Sequence, residues 1–158
     1  MTTTTDHRLA GWADLERESP KIAAAGRGIL YRSGEGLGML ATVRADAPPR
    51  IHPVNVGIVG DGLYTFLLDS AKRRDLAEDG RFALHGHQDP AAPAEFSVRG
   101  RAALVPAGAT RDAVASGWFF DVDGTYWLFE LRIASAVLGE RAADEWPPRY
   151  TRWAAVRR

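Results

Sequence analysis

Three strand-like segments follow one another between residues 37 and 68 with only short turns between them, and this spacing limits the fold more than any other feature of the chain. The connections, residues 46–49 and 60–62, are rich in Pro, Gly and Asp. Parallel strands need a crossover of about a dozen or more residues, which these turns cannot provide. The apolar, β-branched segments therefore predict a three-stranded antiparallel meander over residues 39–43, 51–59 and 63–68.

The rest of the chain adds strands and helices of ordinary length. Further strands are predicted at residues 82–87, 95–105 and 125–137. Helices are predicted at residues 9–17, 19–30, 70–78 and 110–116, with Ser19 and Pro20 at the start of the second. The prediction is a mainly β fold with flanking helices, in which six antiparallel strands form a barrel.

Three glycine-, proline- or aspartate-rich segments are predicted to be connections without a chemical role. Residues 33–38 lack the Lys-Ser/Thr of a phosphate-binding loop and follow no strand. The Pro/Ala cluster 89–94 is a loop between two strands. Residues 121–124 are a turn, because the other ligands and the closing Glu of a calcium loop are missing.

Length and charge bound the class of protein. The 158 residues fit one domain, predicted at residues 9–158 after a flexible tail at residues 1–8. Twenty Lys plus Arg balance twenty Asp plus Glu, so no overall basic field attracts nucleic acid or a membrane surface. The chain has no cysteine, no signal-peptide pattern and no run of about 20 apolar residues. These features predict a cytoplasmic protein.

Several strands are apolar on both faces. Leu63, Thr65 and Leu67 alternate with Tyr64, Phe66 and Leu68, whereas a strand with one wet face alternates apolar with polar residues. The N-terminal helices or a second copy of the chain must cover the outer face. We expect a homodimer.

Three cations stand together where a helix is predicted to begin. Asp69 or Ser70 is the N-cap, and Lys72, Arg73 and Arg74 fall in the first turn, where the helix dipole is already positive. A phosphate ester there would be bound by backbone N–H groups, the Ser70 hydroxyl and Lys72. The alternative is a solvated helix start that Asp69, Asp75 and Glu78 neutralise.

The order of these segments resembles the flavin-binding split-barrel family typified by pyridoxamine phosphate oxidase. The resemblance covers roughly residues 35–105 and rests on Arg50-Ile51-His52-Pro53-Val54-Asn55, Tyr64-Thr65 and Ser70-Ala71-Lys72. In that family the first stretch lines the isoalloxazine, the second supports it, and a Ser-Arg-Lys motif binds the FMN phosphate. Here Ala71 replaces the arginine, and Arg73 is the candidate to compensate.

The resemblance implies a split barrel of the FMN-binding type and an oxidoreductase that uses FMN or the deazaflavin F420. The cofactor would carry out hydride or electron transfer to a small molecule, and no protein acid or base need be catalytic. A second subunit would complete the pocket, with Trp146, Arg149 and Trp153 as candidates. The alternative for this C-terminal segment is an amphipathic tail packed on the barrel.

The histidines leave a different class of function open. His85 and His87 lie two apart on a predicted strand, but no third ligand is close in sequence, so no metal site is predicted. Either ring could line a flavin pocket. A haem- or flavin-binding protein without turnover is the alternative function, with His52, His85 or His87 as the axial ligand of a haem. No nucleophile and base pair for acyl transfer is visible.

Overall fold

The computed structural model describes residues 8–156, which form a sheet of eight strands flanked by four helices. The helices are α1 (Trp12–Glu18), α2 (Pro20–Leu30), α3 (Ala71–Glu78) and α4 (Ala109–Ser116). The strands are β1 (Leu37–Arg44), β2 (Ala47–Asn55), β3 (Gly57–Val59), β4 (Gly62–Leu67), β5 (Arg81–Gly86), β6 (Glu95–Val105), β7 (Trp127–Glu140) and β8 (Arg149–Ala154).

The predicted helices are confirmed, with one boundary corrected. The helix predicted from residue 9 begins at Trp12, because Ala10 instead pairs with β7. The Ala10 N–H lies 2.9 Å from the Ile133 carbonyl oxygen, and the Ile133 N–H lies 2.8 Å from the Ala10 carbonyl oxygen. This bridge fastens the start of the chain to the longest strand.

The described strands pair antiparallel throughout, as predicted, but their number and order correct the prediction. The order is β2-β1-β5-β6-β7-β4-β3, and β8 pairs with residues 135–140 at the C-terminal end of β7. The sheet is open and has eight strands, so the expectation that six strands form a split barrel was wrong in the number of strands and in the barrel. The three-stranded meander was also wrong, because β2 and β4 lie toward opposite ends of the order.

The predicted strand 51–59 is divided at Val56, and this break carries the chain from one end of the sheet to the other. The Val56 N–H donates to the Gly36 carbonyl at 2.9 Å instead of joining a ladder. A Cβ at Gly36 would lie 1.9 Å from the Val56 oxygen, so only glycine allows this approach. The Thr65 hydroxyl donates to the Asn55 carbonyl at 2.8 Å. The sheet is therefore curled, and its two ends approach each other.

Strand β2 is at the edge of the sheet and accommodates three prolines. The turn predicted at residues 46–49 was placed too late, because β2 already begins at Ala47 and includes Pro48 and Pro49. Proline cannot donate to a ladder, so it is tolerated where one side of the strand has no partner. Pro53 lies on this edge strand as well, opposite Met39 of β1. The loops predicted at residues 89–94 and 121–124 are also confirmed.

The core has two parts, one on each face of β4 and β7. The larger part joins the concave face of the sheet to α1, α2 and Leu76 of α3, and includes an edge-to-face contact of Trp12 and Phe96 at 6.0 Å. The smaller part lies on the other face and comprises Tyr64, Phe66, Val114, Trp118 and Leu128. Here α4 and the segment after it supply the cover that the sequence assigned to the N-terminal helices or a second copy.

The two ends of the chain are described only in part. Residues 1–7 of the predicted tail lie outside the described residues, whereas Arg8 forms ion pairs with Asp14 at 3.3 Å and Glu18 at 3.6 Å. Residues 149–154, predicted as part of a tail, form β8. Among the helices described in residues 8–156, none is long and apolar enough to cross a bilayer.

Candidate functional site: a cationic cluster between the edge strand and helix α3

Helix α3 places a buried carboxylate against the edge strand. Asp75 is 4% exposed, and its Oδ2 accepts a hydrogen bond from the Thr42 hydroxyl at 2.8 Å. Arg50 Nε lies 3.1 Å from the same oxygen, as an ion pair without the alignment of a hydrogen bond. Thr42 and Arg50 are directly opposite each other in the β1–β2 register. A buried charge needs such partners, so Asp75 fixes the Arg50 side chain beneath α3.

His52 lies on the same face of β2 as Arg50, two residues further along the strand. Its Nε2 atom is shielded from solvent and has no hydrogen-bond partner. Burial lowers the pKa of His52 below its ordinary 6.5, and the positive charges of Lys72 and Arg50 lower it further, while Asp75 acts in the opposite direction. The ring is therefore neutral at pH 7, and a buried polar atom is left unsatisfied.

Lys72 completes the cluster from the helix side. It precedes Asp75 by three residues on α3, so the two side chains lie on the same helix face. Among residues 8–156 no carboxylate lies within ion-pair distance of its ammonium group, which makes it the unneutralised cation at this helix start. We call Arg50, His52 and Lys72, with Asp75, the α3 cluster.

The other two cations of α3 are already neutralised, as in the solvated alternative. Arg73 lies 3.0 Å from the Asp69 carboxylate, donates to the Thr125 carbonyl at 3.1 Å and stacks 4.3 Å above the Trp127 ring. Arg74 pairs with the same Asp69 at 2.9 Å. Arg73 thus fastens α3 to the start of β7. The cation free to meet an anion is Lys72 rather than Arg73.

Ser70 is the N-cap of α3, as predicted. Its Oγ accepts from the Arg73 N–H at 3.3 Å and donates to the Leu68 carbonyl at 3.1 Å. The hydroxyl thus has one hydrogen bond of each kind within the chain, and its oxygen still has a free lone pair.

The remaining predicted cofactor residues are divided between other places. Ile51 and Pro53 alternate with Arg50 and His52 and point to the opposite, outer face of β2, where Ile51 is 66% exposed. Val54 is part of the larger core. The structure therefore brings the side chains of Arg50 and His52 to Lys72 and directs those of the intervening positions elsewhere.

Tyr64 and Thr65 point to opposite faces of β4. Thr65 contacts the Asn55 carbonyl, whereas Tyr64 is buried in the smaller core beside Phe66 and Trp118. Burial raises the pKa of Tyr64, and the charges of Glu130 and Asp61 raise it further. Thr65 therefore lies at the junction of the sheet ends, and Tyr64 lies on the far side of β4.

The histidines of β5 lie near the surface. His85 Nδ1 is 2.6 Å from the Gly86 carbonyl, which can only accept, so Nδ1 carries the proton and Nε2 has a free lone pair. His87 is exposed just after the strand. Within residues 8–156, no three His, Cys, Asp or Glu side chains are grouped to bind a metal ion. Of the three histidines proposed as axial haem ligands, His52 is the one whose Nε2 is enclosed.

The C-terminal candidates have different surroundings. Trp153 donates from Nε1 to Glu18 Oε2 at 3.1 Å and packs on the larger core, which agrees with the packed-tail alternative. Arg149 pairs with Glu145. Trp146 is 80% exposed, with the Arg141 guanidinium 5.9 Å from its ring centre. Trp146 therefore has the most surface available to a partner.

Two cavities, of about 350 and 290 Å³, lie elsewhere in the chain. The first is lined by Ile29, Leu37, His87 and their neighbours, and the second by Leu104, Arg111, Trp127 and theirs. Neither is lined by the α3 cluster, whose strand β2 lies at the edge of the sheet.

Sequence reasoning missed the central member of the cluster. Asp75 was considered only as a neutraliser of its own helix, whereas its partners are Arg50 and Thr42 on two strands. The available signal was weak: Thr42 is a hydroxyl residue within an apolar strand, and Asp75 directly precedes the buried Leu76. Only the packing of α3 on β1 connects them.

No protein-family model matches the chain, and no curated protein sequence matches it either. Several solved structures are similar to it. A putative pyridoxamine 5'-phosphate oxidase from Listeria innocua is similar at a TM-score of 0.56 and 18% identity, over 72% of this chain and 94% of that one. HutZ, the heme storage protein from Vibrio cholerae, is similar at 0.56 and 17%, over 73% and 89%.

A heme binding protein from Mycobacterium smegmatis is similar at a TM-score of 0.56 and 22% identity over 81% of this chain. The match covers only 57% of that protein's length. At these identities the likeness concerns the fold. The chain has the fold of the pyridoxamine 5'-phosphate oxidase-like split-barrel proteins.

Proposed function

We propose that this chain binds FMN, or the related deazaflavin F420, at the α3 cluster and serves as an oxidoreductase acting on a small molecule. The observation that carries the proposal is the buried, unpartnered His52 Nε2 beside Arg50 and Lys72. An unsatisfied buried nitrogen costs about 1–3 kcal/mol, and an anionic acceptor would remove that cost. The proposal is also supported by the fold, because a structure of similar fold is named a putative pyridoxamine 5'-phosphate oxidase.

The residues present fit a phosphate ester. Lys72 and Arg50 supply positive charge, and Asp75 limits it and orients the guanidinium. Ser70 and the first N–H groups of α3 provide further hydrogen-bonding capacity at the positive end of the helix. Residues 50–55 of the edge strand β2 would line the flavin ring. When bound, the cofactor supplies hydride or electron transfer, and the chain supplies orientation and charge.

The position of β2 at the edge of the sheet supports a second part of the proposal, that two copies of the chain form the complete pocket. Neither of the two cavities described above is lined by the α3 cluster, and small-molecule sites bury most of their ligand. The exposed outer face of β2 and the exposed Trp146 are available to a second copy. The proposed assembly is a homodimer with the cofactor at its interface.

The binding test is a titration of the purified protein with FMN, F420 and riboflavin, followed by flavin fluorescence. A charge-assisted hydrogen bond contributes about 1.5–3 kcal/mol, so Lys72→Ala should weaken FMN binding roughly 10- to 100-fold. Arg74→Ala is the matched control, because Arg74 is on the same helix turn but points to Asp69. Riboflavin lacks the phosphate and should respond little to either change. Failure of the unmodified protein to bind FMN and F420 would refute the proposal.

Turnover needs its own experiment. A flavin spectrum that bleaches when a reduced nicotinamide is added, and returns with an acceptor, indicates an oxidoreductase. If the protein binds a flavin that reduced nicotinamides do not reduce, it is a cofactor-binding protein without turnover. That outcome would contradict the enzymatic part of the proposal.

Haem is the second candidate, because two of the similar structures are named as heme-binding or heme-storage proteins. The specific observation here is His85, whose Nδ1–H···O contact with Gly86 leaves Nε2 free to ligate iron. A Soret band on adding hemin that is lost in His85→Ala but retained in His87→Ala would support it. A Soret band that both variants retain would exclude His85 as the ligand.

A further inference from the structure

We infer that His52 takes up a proton when a phosphate monoester dianion binds at the α3 cluster, so that the site selects dianionic monoesters and binds them more weakly as the pH rises. The inference rests on the proposed function and specifies the ligand class of the same site.

The first step is the charge of the cluster. From β2, Arg50 faces His52; from α3, Lys72 and Asp75 face it; from β1, the opposing positions are Leu40 and Thr42, which carry no charge. Two cations and one carboxylate leave one net positive charge while His52 is neutral. That charge balances a monoanion, such as a phosphodiester, but not a dianion.

The second step is the state of the His52 ring. Its Nε2 is enclosed and unpartnered, and burial together with the Lys72 and Arg50 charges lowers its pKa below 6.5. An adjacent phosphate dianion reverses the largest electrostatic effect, because it neutralises the two cations and adds an acceptor for an Nε2–H. A protonated ring then supplies the second net positive charge that a monoester needs.

The third step is how the ligand reaches Nε2. Lys72 is partly buried, has no ion-pair partner among residues 8–156, and has a flexible four-carbon stem. Such a side chain can turn toward an arriving phosphate while the backbone stays in place. Arg50, which Asp75 fixes, remains in place.

The pH dependence follows from linkage. Binding favours the protonated ring, so the FMN dissociation constant rises with pH between the His52 pKa of the free protein and that of the complex, by at most about tenfold per pH unit, and levels off above the second value. At pH values below about 6 the phosphate itself gains a proton and binds less well. A site without a titrating histidine would show no such increase over that interval.

The test is a proton NMR titration of the imidazole resonances, which is practical because the chain has only four histidines. Spectra are recorded across the pH range for the free protein, with inorganic phosphate, and with FMN. His52→Asn assigns the resonance, and His85 on β5 and His87 just after it are internal controls outside the α3 cluster. The expected result is a His52 pKa that rises by about one unit or more with phosphate or FMN, while the controls stay constant.

The binding counterpart is the FMN dissociation constant measured against pH. In the unmodified protein it should rise with pH between the two His52 pKa values that the NMR titration gives for the free protein and the complex, and in His52→Asn that rise should disappear, whereas His87→Asn should retain it. A His52 pKa that saturating FMN leaves unchanged, or a pH dependence that His52→Asn retains, overturns the inference.

The two proposals fail separately. Tight FMN binding without a change at His52 refutes the proton uptake and leaves the cofactor proposal standing. A His52 response to inorganic phosphate without FMN binding refutes the cofactor and supports the inferred monoester site. Absence of both responses refutes both.

Discussion

At the scale of single residues, Asp75 has the greatest structural effect in the candidate site. It is one of three buried polar side chains among the described residues, with Thr42 and Thr65. The Thr42 hydroxyl donates a hydrogen bond to Asp75, and Thr65 joins the two ends of the sheet. The buried polar groups are thus concentrated where the curled sheet must hold α3 and its two ends together.

We predict that Asp75→Asn lowers the free energy of unfolding by about 1–3 kcal/mol. The substitution removes the charge that balances Arg50 and leaves a buried amide beside it. Because Arg50 is one-third exposed, water limits the loss to less than that of a fully buried pair. Urea unfolding measures the change. Asp69→Asn is the control, since its carboxylate is 70% exposed and should contribute less than about 1 kcal/mol. Equal losses in the two variants would contradict the assigned role of Asp75.

A second residue-scale prediction concerns Asp79, which follows α3. Two hydrogen bonds from the Arg81 side chain lower the Asp79 pKa to about 2. A depressed carboxyl pKa stabilises the fold above the unfolded value near 3.8, and that contribution is lost as the pH falls toward 2. In Arg81→Met the Asp79 pKa should return toward 3.8, as measured by carboxyl carbon NMR. An unchanged value would show that the Arg81 side chain is not the cause.

At the scale of elements, we predict that alanine substitutions at two glycines of α2 change the stability of the protein in opposite directions. A Cβ at Gly26 would lie 2.5 Å from the Phe96 ring, whereas a Cβ at Gly28 meets nothing within 4 Å. Gly26→Ala should therefore destabilise the protein by about 1–3 kcal/mol through overpacking. Gly28→Ala should stabilise it by about 0.5–1 kcal/mol, because alanine is the better helix former. Thermal unfolding of the two variants compares them. Shifts of the same sign would mean that α2 does not pack on β6 as described.

The elements also show how far the sequence could predict the structure. Strand β6 has the predicted bounds, and α3 begins at its predicted cap, because periodicity and capping are local signals. The break at Val56 was missed, because it depends on a hydrogen bond to Gly36 in another part of the chain. The α3 cluster was predicted as an anion site from Lys72, but its carboxylate was not, because Asp75 meets Arg50 only after α3 packs on the sheet.

At the scale of the whole molecule, the order of the strands explains why the meander prediction failed. Neighbouring strands in sequence usually pair, and β1 with β2 and β3 with β4 do so. The chain between them crosses the gap between the sheet ends at Val56, which no local pattern encodes. The same crossing places β2 at an open edge, where its inner face meets α3 and its outer face remains exposed.

The exposed outer face of β2 leads to the last prediction, the assembly of two chains. Ile51 is 66% exposed beside the exposed Pro53, and the facing positions of β1 include Met39 and Ala41. A second copy would bury this apolar surface on the edge strand that also carries Arg50 and His52. We expect a dimer by native mass spectrometry, and Ile51→Arg should yield monomers that bind FMN at least about tenfold more weakly. Leu104→Arg, at a 52% exposed position of β6, should remain dimeric. A monomeric unmodified protein that still binds FMN would show that one chain forms the complete site.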